Sequence, residues 1–146
     1  MAAYIARALV GGEANVPPGP ATPTFSDVDA SYLFYKYIEY CAKKPTPGVV
    51  EGFPDGTYQP DLTLTRGAMA VFIARALAGG EDKVPPGPGT PTFPDVPTTY
   101  WSYDHIEYCV KEGVVKGYLD GTYRPEDTIT RDQMAVYVGR AFHYLP

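Results

Sequence analysis

Two kinds of helix are predicted from the spacing of apolar residues along the chain. In the first kind, apolar side chains recur at i, i+4, i+5, i+8 and i+9, which places them on one face of a helix. This pattern occurs in Leu33, Tyr37, Ile38, Cys41 and Ala42, and again in Trp101, His105, Ile106, Cys109 and Val110. The second kind shows the spacing i, i+3, i+4, i+7 and i+8 in Met69, Phe72, Ile73, Ala76 and Leu77. We expect helices of this second kind over residues 66–77 and 131–142.

The ends of these helices carry sequence signals. Gly11-Gly12 follows a predicted helix over residues 1–10 and is typical of a helix stop. Asp29 or Ser31 is a suitable N-cap for the first helix of the first kind. Thr130 and Gln133 have the spacing of a capping box, in which each side chain accepts a hydrogen bond from the other residue's backbone amide.

The chain is a tandem repeat. Met1 aligns with Met69, and Tyr40-Cys41 aligns with Tyr108-Cys109, at an offset of 68 residues. Beyond residue 44 the offset is 65, because Pro45-Thr46-Pro47, a predicted longer turn at a helix end, has no counterpart in the second unit. Since Met1 fills an internal position of the repeat, we interpret the chain as a segment of a longer protein, with any targeting signal upstream.

This repeat predicts a mostly α fold of tandem helix–loop–helix units with short extended loops and Pro/Gly-rich connectors. A unit of about fifty residues buries little apolar surface by itself, so neighbouring units are expected to pack together. The predicted organisation is a terminal helix of a preceding repeat at 1–14, a Pro-rich linker at 15–24, a repeat at 25–80, a second linker at 81–92 and a repeat at 93–146.

Composition and charge argue against several functional classes. The formal net charge is −5, which disfavours nucleic acid as a partner because phosphate binding depends on an excess of Lys and Arg. No apolar run approaches the roughly 20 residues that span a bilayer, so we do not expect membrane insertion of this segment. Neither His105 nor His143 has a plausible Ser or Cys nucleophile partner in its sequence context. We therefore predict neither an enzyme nor a cofactor.

Metal binding is not predicted either. The loops at Asp55-Gly56 and Asp120-Gly121 lack the alternating acidic ligands of a calcium loop and instead favour tight turns. Cys41 and Cys109 have no matched His pairs for zinc. Because the two cysteines share one position of the apolar stripe, we favour buried core thiols. A disulfide between them is the alternative, and it needs Cα atoms within about 7 Å of each other.

Arg131 is the position with the clearest chemistry. If Thr130 caps its helix, Arg131 is the first helical residue, beside the free amides and the positive end of the helix dipole. A cation there weakens the helix, yet a guanidinium and a helix N-terminus together suit a carboxylate or a phosphate. The alternative is an ion pair between Arg131 and a nearby carboxylate such as Asp95 or Asp120.

The first full unit repeats this arrangement in a weaker form. Thr65 and Arg66 repeat the cap and the cation, but Ala68 stands where the second unit has Gln133. Gly67 lowers the helix propensity by up to about 1 kcal/mol. The sequence therefore predicts the better-formed site in the second unit.

The combined motif resembles the S-layer homology (SLH) family. Both units contain Phe-x-Asp-Val, then Gly-Val-Val, then Asp-Gly-Thr-Tyr-x-Pro, and finally Thr-Arg before a helix. The resemblance implies extracellular modules at the cell surface that bind acidic, cell-wall-linked polysaccharide. It also implies three motifs in a pseudo-threefold prism with glycan grooves between them, and it gives the contact with the acidic sugar to Arg66 and Arg131.

The glycan-binding residues predicted in this way lie at the capped helix starts, in the Asp-Gly loops and at the start of a helix of the first kind. They are Arg66, Arg131, Thr65, Thr130, Asp55, Asp120, Tyr118 and Trp101. Tyr58 and Tyr123, close to the same loops as Tyr118, are further candidates for stacking on sugar rings.

These features favour a non-catalytic cell-surface module that binds cell-wall polysaccharide and anchors an extracellular protein. The alternative is a structural subunit of a surface layer or an extracellular filament. One helix plus two units leaves open interfaces, which either the rest of the longer chain or another copy can complete. Head-to-tail contacts between copies can form fibres. The expected partners are therefore cell-wall polysaccharide and, in the alternative, further copies of the chain.

Overall fold

The computed structural model describes residues 1–43 and 48–143, and it confirms the mostly α fold. Within those residues the helices are α1 (Ala2–Val10), α2 (Tyr35–Ala42), α3 (Arg66–Ala78), α4 (Tyr103–Lys111) and α5 (Arg131–Ala141). Short 3-10 turns at Glu13–Asn15 and Glu81–Lys83 follow α1 and α3. This part of the chain forms no strand, and an isolated antiparallel bridge joins Thr65 and Thr128. The longer turn predicted at residues 45–47 lies outside the described residues.

Three helices of the second kind form the centre of the molecule. Helices α1, α3 and α5 each contact the other two, while α2 packs on α1 and α4 packs on α3. The one-sided stripe predicted for α3 is too narrow, because Ala70 and Ala74, which lie off that stripe, are fully buried together with Met69 and Ile73. The reason is that α3 contacts α1, α4 and α5 at the same time.

The C-terminal ends of α1 and α3 follow the predicted stop signals. Gly11 and Gly79 adopt left-handed backbone conformations, with φ of 75° and 81°, and each donates its amide to a carbonyl in the last turn of its helix. Glycine adopts this conformation without a steric penalty, which explains its place at both helix ends.

The N-terminal ends of α2 and α4 lie further along the chain than predicted. Asp29 accepts hydrogen bonds from the backbone N–H and the hydroxyl of Ser31, at 2.7 Å and 2.6 Å, so the two residues form a local turn. The predicted N-cap at Asp29 or Ser31 is therefore wrong, and α2 begins only at Tyr35. Leu33 and Trp101 precede the helices and are 78% and 61% exposed, so neither belongs to the buried stripe.

Asp27 and Asp95 fasten the Phe-x-Asp-Val segment to the loop of the same unit. The two carboxylate oxygens of Asp27 accept the backbone N–H groups of Tyr58 and Gln59, at 2.8 Å and 2.7 Å. Asp95 accepts the equivalent amides of Tyr123-Arg124 at 2.9 Å and 2.7 Å. These bonds fix each loop relative to its own unit.

The connectors are held against the helices that follow them. Glu39 is 5% exposed, and its carboxylate accepts the backbone N–H and the hydroxyl of Thr24 at 2.8 Å and 2.6 Å. The Tyr35 hydroxyl donates to Pro20 O at 2.6 Å. The second unit repeats these contacts with Glu107, Thr92, Tyr103 and Pro88. Because a buried carboxylate is costly unless it is hydrogen-bonded, the bonds hold each connector in one position.

Both cysteines are buried free thiols, so the alternative of a disulfide between them is not formed in this structure. Cys41 Sγ lies 3.6 Å from Ala2 O, and Cys109 Sγ lies 3.5 Å from Ala70 O. Burial raises the pKa of each thiol to about 12, which keeps both protonated at neutral pH. They act as small core groups where α2 meets α1 and where α4 meets α3.

Candidate functional site

The start of α3 lies along the loop of the following unit. Thr65 Oγ1 accepts the backbone N–H of Ala68 at 3.2 Å, as predicted for a helix cap. Three backbone hydrogen bonds join this segment to residues 125–129: Arg66 N to Asp127 O (2.9 Å), Gly67 N to Pro125 O (2.8 Å) and Ile129 N to Leu64 O (2.9 Å). The first two amides of α3 are therefore bound to protein and are not free for an anion.

The Arg66 side chain is enclosed by tyrosines of the second unit. Arg66 is 6% exposed, and its Nε–H donates to Tyr123 O at 2.8 Å. Its guanidinium carbon lies 4.7 Å from the ring centres of Tyr118 and Tyr123 and 5.8 Å from that of Tyr137. Aromatic faces attract a cation, and more strongly where water is excluded. This tyrosine cluster (Tyr118, Tyr123 and Tyr137) therefore holds the charge in a fixed place.

The terminal nitrogens of Arg66 remain available. Neither of them donates to another described residue. Among the described residues, the fully buried side-chain atoms without a hydrogen-bond partner are Ser102 Oγ and His105 Nδ1. The terminal nitrogens of Arg66 are not in that group, so they are not completely buried, although the residue as a whole is only 6% exposed.

A second arginine lies over Tyr118, a residue predicted as part of the site. The guanidinium carbon of Arg124 is 4.2 Å from the ring centre of Tyr118. Arg124 Nη2 donates to Asp120 Oδ2 at 2.6 Å, and its Nε–H donates to Thr122 Oγ1 at 3.2 Å. Hydrogen bonds from Thr122, and then from Arg124, lower the pKa of Asp120 to about 2. The loop of the second unit therefore brings Asp120, Tyr118 and both arginines together.

Arg131 has different surroundings. The capping box of Thr130 and Gln133 is present, with Thr130 N donating to Gln133 Oε1 at 3.3 Å, and the Thr130 hydroxyl donates to Asp132. Arg131 is exposed, and its Nη2 donates to the hydroxyl of Tyr4 on α1 at 3.2 Å. Among the described residues, no backbone bond to another segment joins the amides of Arg131 and Asp132.

The alternative ion pair of Arg131 with Asp95 or Asp120 is not formed. Asp95 accepts backbone amides of its own unit, and Asp120 is paired with Arg124. The Arg131 guanidinium is therefore not neutralised by either carboxylate.

A groove of about 370 Å³ adjoins Arg131, between α5, α1 and the first full unit. Its lining includes Arg131, the aromatic side chains Tyr4, Tyr32, Phe34 and Tyr58, and Arg7, which is ion-paired with Glu13. The volume is in the range of small-molecule sites, and rings beside cations suit the faces and the acidic groups of sugars. We call this the Arg131 groove.

The other predicted residues lie elsewhere. Asp55 accepts the backbone N–H and hydroxyl of Thr57 in a local turn and is exposed. The exposed Trp101 ring lies 5.9 Å from that of Tyr100. Tyr123 is fully buried, so the expectation that it stacks on a sugar ring is wrong. Its ring faces Arg66 instead.

Sequence reasoning missed Arg124, Tyr137 and Tyr4. Arg124 acts within its own loop, on Tyr118, Asp120 and Thr122, at the variable position of the Asp-Gly-Thr-Tyr-x-Pro motif. Tyr4 and Tyr137 instead lie near arginines of other helices, and no local motif marks them. The repeat alignment was the available signal for Tyr4 and Tyr137, because both fall in the position occupied by Phe72 of α3. Tyr4 contacts Arg131, and Tyr137 lies near Arg66, so each of the two tyrosines faces an arginine at the start of a neighbouring helix.

The described residues offer charge and aromatic surface, with no metal-binding cluster. No group of three or more His, Cys, Asp or Glu that could hold a metal ion occurs among them. Likewise, none of the described helices is long and apolar enough to cross a bilayer. What the arrangement offers is a guanidinium beside aromatic side chains at Arg66 and at Arg131.

Comparison with known proteins identifies relatives at the cell surface. The chain is 33% identical over 96 residues to "Cell surface glycoprotein 1" of Acetivibrio thermocellus, covering 66% of this chain and 4% of that protein. It is 30% identical over 145 residues to the "Cellulosome-anchoring protein" of the same organism, covering 99% and 32%. It is 31% identical over 143 residues to an "S-layer protein" of Bacillus licheniformis, covering 98% and 15%. The chain thus spans less than a third of the length of these relatives.

A match to the S-layer homology domain, together with these relatives, confirms the predicted extracellular, cell-surface location. The profile of the S-layer homology domain matches residues 24–70 and 92–135, more than half of the chain. The two matched regions contain the two arginine helix starts and the loops that face them. The chain therefore belongs to the S-layer homology domain family.

Proposed function

We propose that this chain is a non-catalytic module that binds acidic cell-wall polysaccharide through Arg66 and Arg131, and so anchors an extracellular protein to the cell surface. The observation that carries this proposal is the geometry of the two helix starts. Each presents a guanidinium beside an aromatic side chain, and neither guanidinium is paired with a carboxylate of the described residues.

The Arg66 site supports recognition of a carboxylate in a fixed geometry. The tyrosine cluster and the bond to Tyr123 O orient the guanidinium before a ligand arrives. A planar guanidinium whose two terminal nitrogens have no partner among the described residues suits bidentate binding of a carboxylate. Because the side chain is already ordered, little conformational entropy is lost on binding.

The Arg131 groove supports contact with a longer stretch of glycan. Its aromatic side chains offer apolar faces for sugar rings, and Arg131 offers charge at the same groove, whereas Arg7 is paired with Glu13. Exposed cations in high dielectric gain little from a single ion pair. We therefore infer that the groove adds affinity mainly through ring contacts, with Arg131 selecting acidic sugars.

The anchoring role also has support from the relatives. One relative is named as a cellulosome-anchoring protein, and its match covers 99% of this chain. A module that occupies a small part of several long surface proteins is well suited to attach them.

Co-sedimentation with purified cell-wall material tests this function. We expect the unaltered chain to sediment with the wall, and an Arg66→Gln/Arg131→Ala variant to lose most of that binding. The control is Lys111→Gln/Lys116→Gln, which removes the same number of positive charges at exposed positions and should bind normally. Circular dichroism checks that each variant is folded. Unchanged binding by the folded arginine variant would contradict the proposal.

A structural subunit of a surface layer is the second candidate. It is favoured by the match to an S-layer protein along 98% of the chain and by exposed apolar residues at Leu33, Leu62 and Leu119. Sedimentation velocity over a range of concentrations tests it. This candidate predicts assembly that Leu119→Ser weakens, whereas a monomer at high concentration would rule it out for this segment.

A further inference from the structure

We infer that Arg124 is a second anion contact of the Arg66 site, so that this site prefers a saccharide with two neighbouring negative charges over one with a single charge. The inference rests on the proposed function, because it concerns the ligand of the same site. It adds Arg124 to the residues of the site, and it adds saccharides with two negative charges as the class of ligand.

Arg66 and Arg124 share one aromatic ring. Their guanidinium carbons lie 4.7 Å and 4.2 Å from the ring centre of Tyr118. Since 4.7 Å and 4.2 Å add up to 8.9 Å, the two carbons cannot be further apart than that. Two anionic groups on one sugar, or on two adjacent sugars, can span such a distance.

Both guanidinium groups have free hydrogen-bond donors. Arg66 is more than nine-tenths buried, yet its terminal nitrogens have no partner among the described residues. Arg124 is held by Thr122 through Nε and by Asp120 through Nη2, which leaves Nη1 without a partner in the same part of the chain. Asp120 is therefore a positioning residue for Arg124 rather than a ligand contact.

The ion pair of Arg124 with Asp120 does not prevent ligand binding. The side chains are 46% and 49% exposed, and exposed ion pairs contribute little to stability. A ligand carboxylate or phosphate can thus bind the free edge of Arg124 while Asp120 keeps the guanidinium over Tyr118. Charge-assisted bonds from two planar guanidiniums then discriminate between singly and doubly charged ligands.

The first full unit provides an internal comparison without the charge. Gln59 stands where the second unit has Arg124, with φ of 56° against 57°. Gln59 Nε2 donates to Thr57 Oγ1 at 3.2 Å, the same bond that Arg124 makes to Thr122. Glutamine therefore fits this backbone position, and Arg124→Gln removes the cation with little expected change in the fold.

Titration with small acidic saccharides tests the inference. The probes are D-galacturonic acid, its α-1,4-linked dimer with two carboxylates, and 6-phosphogluconate, which pairs a carboxylate with a phosphate. Chemical-shift titration of the full chain gives each dissociation constant. We expect at least one two-charge probe to bind about ten-fold more tightly than the monomer, and the better of the two identifies the second anion as carboxylate or phosphate.

Arg124→Gln should remove that preference, because it deletes the second cation over Tyr118. The control is Lys111→Gln, which removes one positive charge at an exposed position of α4 and should not change the preference. The inference is overturned if the unaltered chain shows no preference for either two-charge probe, or if Arg124→Gln retains it.

The experiments distinguish a failure of this inference from a failure of the proposed function. If wall binding requires Arg66 but Arg124→Gln binds every probe as the unaltered chain does, only the role of Arg124 is wrong. If wall binding is independent of Arg66 and Arg131, the proposed function fails, whatever the saccharide titrations give.

Discussion

Arg66 and Arg131 occupy the same position of the repeat, yet one is enclosed and the other is exposed. Arg66 lies within the tyrosine cluster of the second unit, while Arg131 contacts the hydroxyl of Tyr4 and borders an open groove. The loop of the following unit makes the difference, because it pairs with the start of α3 through three backbone bonds. The character of each site is therefore set by the neighbouring unit as much as by its own Thr-Arg motif.

The largest expected effect is a difference in unfolding free energy between variants of the two loop tyrosines, Tyr123 and Tyr58. Tyr123 is fully buried against Arg66, whereas its counterpart Tyr58 is half-buried beside the Arg131 groove. We expect Tyr123→Ala to lower the free energy of unfolding by about 3–5 kcal/mol. Tyr58→Ala should cost at least about 1 kcal/mol less, because it leaves a smaller cavity. Urea denaturation measures both, and equal losses would contradict the comparison.

A second difference is expected between the arginines themselves. Arg66→Ala removes a charge-assisted bond to Tyr123 O and the ring contacts, so we expect a loss of about 2 kcal/mol of unfolding free energy. Arg131→Ala changes an exposed side chain and should stay within about 0.5 kcal/mol of the unaltered chain. Thermal and urea unfolding of both variants give the values. A destabilisation by Arg131→Ala as large as that by Arg66→Ala would show that the exposed arginine is structural.

The connectors should behave alike in the two units, in contrast to the arginine sites. Glu39 and Glu107 are each 5% exposed and accept the same two bonds from a threonine. Replacing either by Gln weakens those bonds and should cost about 1 kcal/mol. Urea denaturation of the two single variants checks this, and a difference above about 1 kcal/mol between them would mean that the connectors are not equivalent.

The smallest effect concerns the carboxylates of the two Asp-Gly loops. The pKa of Asp120 is about 2, below its ordinary value of 3.8, because of bonds from Thr122 and then Arg124. A lowered folded-state pKa favours the folded state above the unfolded pKa, and this contribution is lost as pH falls from about 4 towards 2. Arg124→Gln should raise the pKa of Asp120 without restoring its ordinary value, because the Thr122 bonds remain.

Asp55 is the internal control for that titration. Hydrogen bonds from the side chain and backbone of Thr57 lower its pKa, and no arginine contributes. The Arg124→Gln substitution should therefore leave the pKa of Asp55 unchanged. Carboxyl carbon chemical shifts followed between pH 6 and the acid limit of folding would measure both groups. A pKa of Asp120 that does not respond to Arg124→Gln would contradict the positioning of Arg124 by Asp120.

Local signals predicted the parts of the fold that depend on local chemistry. The two kinds of helix follow from apolar spacing, the end of α1 from Gly11, and the start of α5 from the Thr130 capping box. The helix-start positions of Arg66 and Arg131 follow from the same caps. These features depend on residues within a few positions of one another, so one sequence contains all the information needed.

Contacts between units could not be predicted in the same way. Gly67 was interpreted as a weak point of α3, but a Cβ there would lie 3.1 Å from Ser102 Oγ and 3.2 Å from Pro125 O. Glycine at this position permits the close approach of the second unit. The enclosure of Arg66 by Tyr123 has the same origin, because it depends on a residue 57 positions away along the chain.

The most direct test of the account is the number of binding sites for one chain. Isothermal titration calorimetry with a short, purified fragment of acidic cell-wall polysaccharide measures it, using the unaltered chain and the folded variants Arg66→Gln and Arg131→Ala. The account predicts two sites in the unaltered chain and one in each variant, with different affinities because the two arginines have different surroundings. A single binding site that is retained in the Arg66→Gln variant and also in the Arg131→Ala variant would contradict the account.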